Sequence, residues 1–306
     1  MTPTAGSSRK GLLSRDDYLA PPHIPTGQPP KDVLNTIWRK NDVFLDIGDY
    51  SIGSAVMVIW PVLMIYVLLV YSTRDVPELS NGFAILGLVI VGIPSLIVLY
   101  GLTRPVPLPV RFNRQRREVC VPREDGSHWI VPWEQVTAAA TAVSSVGQHG
   151  KTTQGLLVVG FTNPDPNAKK EDREFSLGFS CGGGTTAMCL WECMRSYMEV
   201  GPEAVPDSRL GRRPYAETQI GSIVTSLLKG NIKDVLHGLF FVIFLGTYFA
   251  EKFQNLKLAP PPDLTAPAIV EWSKRLPPER WAKRSPELEL AIAEREAQLD
   301  VEQTAA

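Results

Sequence analysis

The chain reads as a membrane α+β protein: an N-terminal two-helix transmembrane hairpin, then an antiparallel sheet capped by a helix, then a further apolar helix and a helical tail. Three observations carry that reading. Two charge-free runs of about 24 residues, Tyr50 to Thr73 and Leu79 to Thr103, flank a short polar link. From Val106 the apolar residues come in short alternating runs separated by turn signals. At Thr185 the period lengthens to that of a helix, and a shorter apolar run follows at Val235 to Ala250.

A hydrocarbon core about 30 Å thick needs about 20 helical residues at 1.5 Å each. Both long runs satisfy that length, and the link Arg74-Asp75-Val76-Pro77-Glu78 is polar, so residues 50–103 are expected to form a transmembrane hairpin. Pro61 and Pro94 lie inside the runs. Prolines are costly in a soluble helix and tolerated in a membrane one, where neighbours re-satisfy the freed carbonyls. Tyr50, Tyr71 and Tyr100 sit near the run ends, where amphipathic rings prefer the interface, while Trp60 is mid-run. Lys31, Arg39 and Lys40 precede the hairpin, and Arg104, Arg111, Arg114, Arg116 and Arg117 follow it; the link holds only Arg74. The positive-inside rule then puts both the N-terminal segment and the main domain in the cytoplasm.

Lys and Arg total 31 against 32 Asp and Glu, so no strong positive field argues for nucleic acid. Four cysteines in a cytoplasmic setting are expected to stay reduced. Residues 1–49 read as a polar tail. Its first 30 residues, rich in Pro, Ser, Thr and Gly, have the composition of a disordered segment.

Residues 104–202 read as one domain. Strands are expected at Leu108 to Asn113, Glu118 to Arg123, Ser127 to Pro132, Gln135 to Val143, Gly155 to Thr162 and Arg173 to Ser180. Asp125-Gly126 signals a hairpin turn, and Gly147 to Gln154 reads as a polar loop. Thr185 to Val200 then places Met188, Leu190, Trp191, Met194, Tyr197 and Met198 on a helical stripe, which Gly201-Pro202 stops. With Phe112-Asn113-Arg114 and Trp133-Glu134, this order over residues 106–200 resembles the bacterial pleckstrin-homology-like modules that follow transmembrane hairpins. The stretch from Pro109 to Val119, PVRFNRQRREV, after a two-helix hairpin is similar to a family of proteobacterial membrane proteins often encoded beside type VI secretion toxin genes. That resemblance implies a bacterial inner-membrane protein with an immunity or accessory role, whose partner is a secreted toxin or a secretion component. The alternative is a lipid- or envelope-sensing scaffold with no toxin partner.

Residues 203–258 are expected to be membrane-associated. Val235 to Ala250 spans roughly 24 Å as a helix, short of the hydrocarbon thickness. Three readings stay open for it: a thin-spanning helix that would put the C-terminus outside, a helix in the interface or re-entrant beside the hairpin, and a buried core helix. Arg209, Arg212, Arg213, Lys229 and Lys233 before it and Lys252 and Lys257 after it do not decide between them. Residues 259–306 read as a Pro-rich linker with helices at Ala266 to Leu276 and Pro286 to Leu299, the second expected to be solvated.

Little here points to chemistry. Cys189 and Cys193 are one helical turn apart, but a zinc site would need Cys181, Cys120 or His149 to complete it, and no second tight pair exists. Small buried cysteines are the expected reading. Gly182-Gly183-Gly184-Thr185-Thr186 leads into a helix but lacks the lysine of a phosphate loop. His23, His128, His149 and His237 are scattered. No catalytic residue, metal site or cofactor is expected, and the chain does not read as an enzyme. The candidate contact residues are Arg104, Arg111, Arg114, Arg116 and Arg117. Juxtamembrane basic residues contribute roughly 1 kcal/mol each toward anionic lipid, so this cluster is expected to dock the domain on membrane lipid.

Overall fold

The computed structural model of the chain describes residues 3–50, 52–147, 150–211, 215 and 218–304. His149, Arg212 and Arg213 lie outside the described residues. The backbone forms two compact units. One is assembled from Met1–Asp49, Leu108–Arg209 and Asp263–Ala306, the other from Tyr50–Pro107 and Leu210–Pro262.

The first unit holds two five-stranded antiparallel sheets. One runs in the order β3 (Ile37–Lys40), β4 (Phe44–Ile47), β5 (Val110–Asn113), β6 (Glu118–Pro122), β7 (His128–Pro132). The other runs β1 (Ser8–Lys10), β2 (Ser14–Ala20), β8 (Thr137–Gly147), β9 (Gly150–Thr162), β10 (Glu174–Ser180). All six strands expected between 108 and 180 form. The expected loop over 147–154 is largely strand instead, since β8 and β9 stay paired out to Gly147 and Gly150. Lys and Thr occur in strand ends as well as in turns, and composition does not separate the two.

The helix α1 (Gly184–Glu199) closes the unit. Its stripe of Leu190, Trp191, Met194, Tyr197 and Met198 is buried in one core with Phe112, Val119 and Val131 of the first sheet and Leu157, Val159 and Phe179 of the second. Full burial of each large apolar side chain stabilises by about 1.5–3 kcal/mol. The opposite face of α1 is buried too, because both chain ends fold over it. Thr26 donates to Glu192 through its backbone N–H (3.2 Å) and its hydroxyl (3.0 Å), and the Lys31 N–H donates to the Cys189 carbonyl at 3.2 Å. The segment 1–49 is therefore no detached tail: it supplies four strands and a cover for the helix. Local sequence carries little sign of this. In β2 only Leu19 and Ala20 are buried, so the strand lacks an apolar alternation, and the Pro-rich stretch after it is covered by residues far along the chain, among them Trp133 against His23 and Glu192 against Thr26.

The C-terminal segment also packs on this unit, although most of its last helix is exposed, as expected. Leu264 and Ile269 pack on Cys120 of β6, and Leu288 and Ile292 are buried. The helices here are α2 (Pro267–Trp272) and α3 (Pro286–Thr304). Trp272 fixes α2 by donating its indole N–H to Glu118 Oε2 at 2.7 Å.

The second unit is helical. It contains α4 (Ile52–Ser72) and α5 (Pro77–Thr103), 21 and 27 residues, both long and apolar enough to cross a bilayer. Residues 88–92 of α5 are π-helical, just ahead of Pro94, where the missing proline N–H leaves the ladder one donor short. Further along are α6 (Gln219–Leu228), α7 (Ile232–Phe244) and α8 (Thr247–Leu258). The third apolar run is thus not one helix: α7 and α8 meet at 54°. Leu239, Phe240, Phe241, Ile243 and Phe244 are exposed, so it is not a buried core helix either. The break falls at Gly246, whose φ of +73° favours glycine and where a Cβ would lie 2.7 Å from the Trp60 indole. The indole N–H of Trp60 donates to the Ile243 carbonyl at 2.9 Å, and its ring packs 4.2 Å from that of Phe249.

Candidate functional site

The arginines that follow the hairpin have different roles. The register of β4 against β5 places Asp46 directly opposite Arg111. Arg111 is 3 % exposed and grips Asp46 with two prongs, Nε to Oδ1 at 2.6 Å and Nη2 to Oδ2 at 2.8 Å. The same guanidinium donates to Asp263 at 2.7 Å and Ser273 at 3.0 Å, and lies 3.7 Å over the Phe44 ring. Arg39 closes the cluster, 3.0 Å from Asp263. Arg117 is buried at the end of the β5–β6 turn and takes up Glu199 and Glu134. Arg114 stacks 5.4 Å from the Trp281 ring, and Arg116 Nε donates to the Trp272 carbonyl at 2.9 Å.

Three of the five candidate residues, Arg111, Arg114 and Arg116, therefore hold β5 and the turn after it to the C-terminal segment, while Arg117 ties that turn to α1. For Arg111 and Arg117 the lipid-contact expectation is corrected: a buried guanidinium paired with a buried carboxylate, Asp46 across the sheet for one and Glu199 on α1 for the other, does not reach a headgroup. Arg114 and Arg116 are half-buried against the same segment. Arg104, in the helical unit, is exposed and lies over the Tyr100 ring.

Around Glu199 the polar contacts are dense. Its carboxylate accepts from both Nη atoms of Arg117, from Trp133 Nε1 at 2.7 Å and from Arg284 Nε at 2.6 Å. Burial pushes this carboxyl up, but the bonds and charge of Arg117, the Trp133 N–H and Arg284 outweigh it and hold the group below the usual carboxylate range. Beside it, the His23 ring packs tilted, 4.2 Å from Trp133 and 5.7 Å from Trp191, with no hydrogen-bond partner on either ring nitrogen. Burial lowers its pKa to about 4.

Cys120, Cys181, Cys189 and Cys193 are free and buried. Burial raises all four thiols, Cys120 to about 12. Among the described residues no three His, Cys, Asp or Glu side chains are grouped to hold a metal.

The helical unit carries a groove of about 660 Å³. Its walls are Leu63, Tyr66, Val67 and Val70 of α4 and Phe83 and Val91 of α5, with Arg74 and Ser80 at the link end. Gly87 lets the helices close here: a Cβ on it would stand 3.0 Å from the Tyr66 ring. The groove presents no nucleophile beside a base, so its chemistry is that of apolar binding with one cationic end. The sequence signal was the glycine pair Gly87 and Gly92, which misses the spacing of a helix-dimer face by one residue; in the structure Gly87 serves packing within the hairpin.

No family model, curated protein or solved structure matches the chain.

Proposed function

We propose that the chain is a non-enzymatic protein of a bacterial inner membrane, in which the helical unit anchors the two-sheet unit at the cytoplasmic face, where that unit binds a protein partner. One observation carries the anchoring: only 11 % of the apolar stretch of α4, and of α5, is buried. Exposed apolar surface on this scale marks a membrane or partner interface.

The way the chain is threaded supports a specific topology. The two-sheet unit is built from three stretches of chain, and stretches that share a sheet and ion pairs lie on one side of a bilayer. The hairpin meets this condition by crossing twice. Residues 210–262 also leave that unit and return to it, so they do not cross once. A re-entrant path for α7 and α8 fits their 54° bend and their lengths, each well under the 20 or so residues of a span. Broken backbone at membrane depth needs a partner inside the protein, and Trp60 is that partner for Ile243. The thin-spanning alternative, with the C-terminus outside, is disfavoured by the same reasoning.

Two antiparallel sheets sharing a core with one helix support the pleckstrin-homology-like reading of the domain. Within Pro109 to Val119, the stretch behind the secretion-linked resemblance, Arg111 and Arg117 make internal ion pairs, so that likeness speaks for fold more than for a partner. An immunity or accessory role remains the working proposal for the partner. The rival, a lipid- or envelope-sensing scaffold, is favoured by the groove.

Two measurements test these readings. Alkaline extraction of membranes should leave the full chain in the pellet, and protease added to spheroplasts should spare the two-sheet unit; release by alkali or digestion from outside would overturn the anchoring. Co-expression with a toxin encoded beside the gene should protect a susceptible strain. Death at normal membrane levels of the protein would remove the immunity reading.

A further inference from the structure

We infer that the groove between α4 and α5 binds an anionic phospholipid, with one acyl chain along its apolar walls and the phosphate on Arg74. The inference rests on the membrane reading above. From Leu63 to Tyr71 the groove follows nine residues of α4, about 14 Å at 1.5 Å per residue, and Arg74 lies in the link just beyond. That is about half of a 30 Å hydrocarbon core, the depth of one leaflet. The apolar walls thus match an acyl chain in length and end where a headgroup would lie.

The charge is placed for the headgroup. Of the charged residues in the link, Arg74 lines the groove, while Asp75 and Glu78 do not. The guanidinium sits 4.6 Å over the Tyr71 ring, which orients its edge, and its contact with Asp75 is a long 4.0 Å with Asp75 91 % exposed. An arginine held on an aromatic face presents the planar donor fork suited to phosphate oxygens. Ser80, also at this end, donates its hydroxyl to the Val70 carbonyl at 3.3 Å. A zwitterionic lipid would fill the same walls, but its own ammonium would offset the attraction to Arg74.

The full chain is reconstituted into phosphatidylcholine vesicles containing a trace of chain-spin-labelled phosphatidylglycerol or phosphatidylcholine. The motionally restricted fraction is read by electron spin resonance. The expected result is a preference for phosphatidylglycerol of about fivefold, the scale of one basic residue acting on an anionic lipid. R74Q should abolish the preference while leaving restricted phosphatidylcholine unchanged. G92L, at a position where a Cβ meets Leu88 at an ordinary 3.5 Å, should reduce restriction of both lipids, and inorganic phosphate in excess should displace neither. An inserted chain without the preference, or a preference that survives in R74Q, overturns this inference and leaves the membrane reading standing. A chain that does not enter the vesicles overturns both.

Discussion

Arg117 and Glu199 meet in a two-pronged ion pair, Nη1 to Oε2 at 3.1 Å and Nη2 to Oε1 at 2.9 Å, with both side chains almost fully buried. The pair ties the β5–β6 turn to the last turn of α1, and Arg284 brings the C-terminal segment onto the same carboxylate. Removing one partner of such a pair strands a buried charge and costs about 3–5 kcal/mol. Arg117→Met should therefore lower the urea midpoint of the two-sheet unit sharply. The double change Arg117→Met with Glu199→Leu should cost less than the single one. Equal losses in the two variants would show that packing, not charge, dominates here.

His23 makes the same region sensitive to pH. Its folded pKa is about 4, below the ordinary 6.5, so the unfolded chain takes up the proton first as pH falls. Stability is full above pH 6.5 and declines between 6.5 and about 4. Between pH 7 and pH 5 the loss is about 2 kcal/mol. Urea titrations at the two values should show it, and His23→Leu should flatten the difference. Glu199 acts lower on the scale. Its depressed carboxyl stabilises above its unfolded value, and that contribution is lost as pH falls through the folded one.

Trp60 and Gly246 should be linked in the helical unit. Trp60→Phe keeps the ring against Phe249 but leaves the Ile243 carbonyl without its donor. Hydrogen bonds of this kind in membrane proteins are worth about 0.6 kcal/mol and up to about 1.7, so a modest fall in the melting temperature of the detergent-solubilised chain is expected. Gly246→Ala should cost more, since it adds both a strained φ and a close approach to Trp60. A Gly246→Ala melting temperature equal to that of the parent would rule out the fitted break.

Cys120 reports on the C-terminal segment. Its thiol is fully buried under Leu264 and Ile269, and burial raises its pKa to about 12. In the native chain it should resist maleimide at neutral pH. Ending the chain at residue 262 should uncover it and bring rapid labelling, read by mass spectrometry. Unchanged labelling would mean that the segment is not the cover.

The legible part of this protein is what repeats locally. The charge-free runs became α4 and α5, and the six alternating stretches and the stripe from Thr185 became strands and the closing helix. The groove was less visible, because it depends on how Tyr66 seats against Gly87 across the hairpin.

By itself the sequence determined the elements whose signal is carried by neighbours: helix length from uncharged runs, strand order from alternation, and the closing helix from its stripe. Only the tertiary structure decided what the charged residues and chain ends do. Arg111 meets an aspartate 65 positions away, and Thr26 meets a glutamate 166 positions away. The physical reason is desolvation. An arginine costs little in water and is held in a core only where a carboxylate arrives with it. That arrival depends on the pairing of β4 with β5 and on both chain ends closing over α1, which no local window contains.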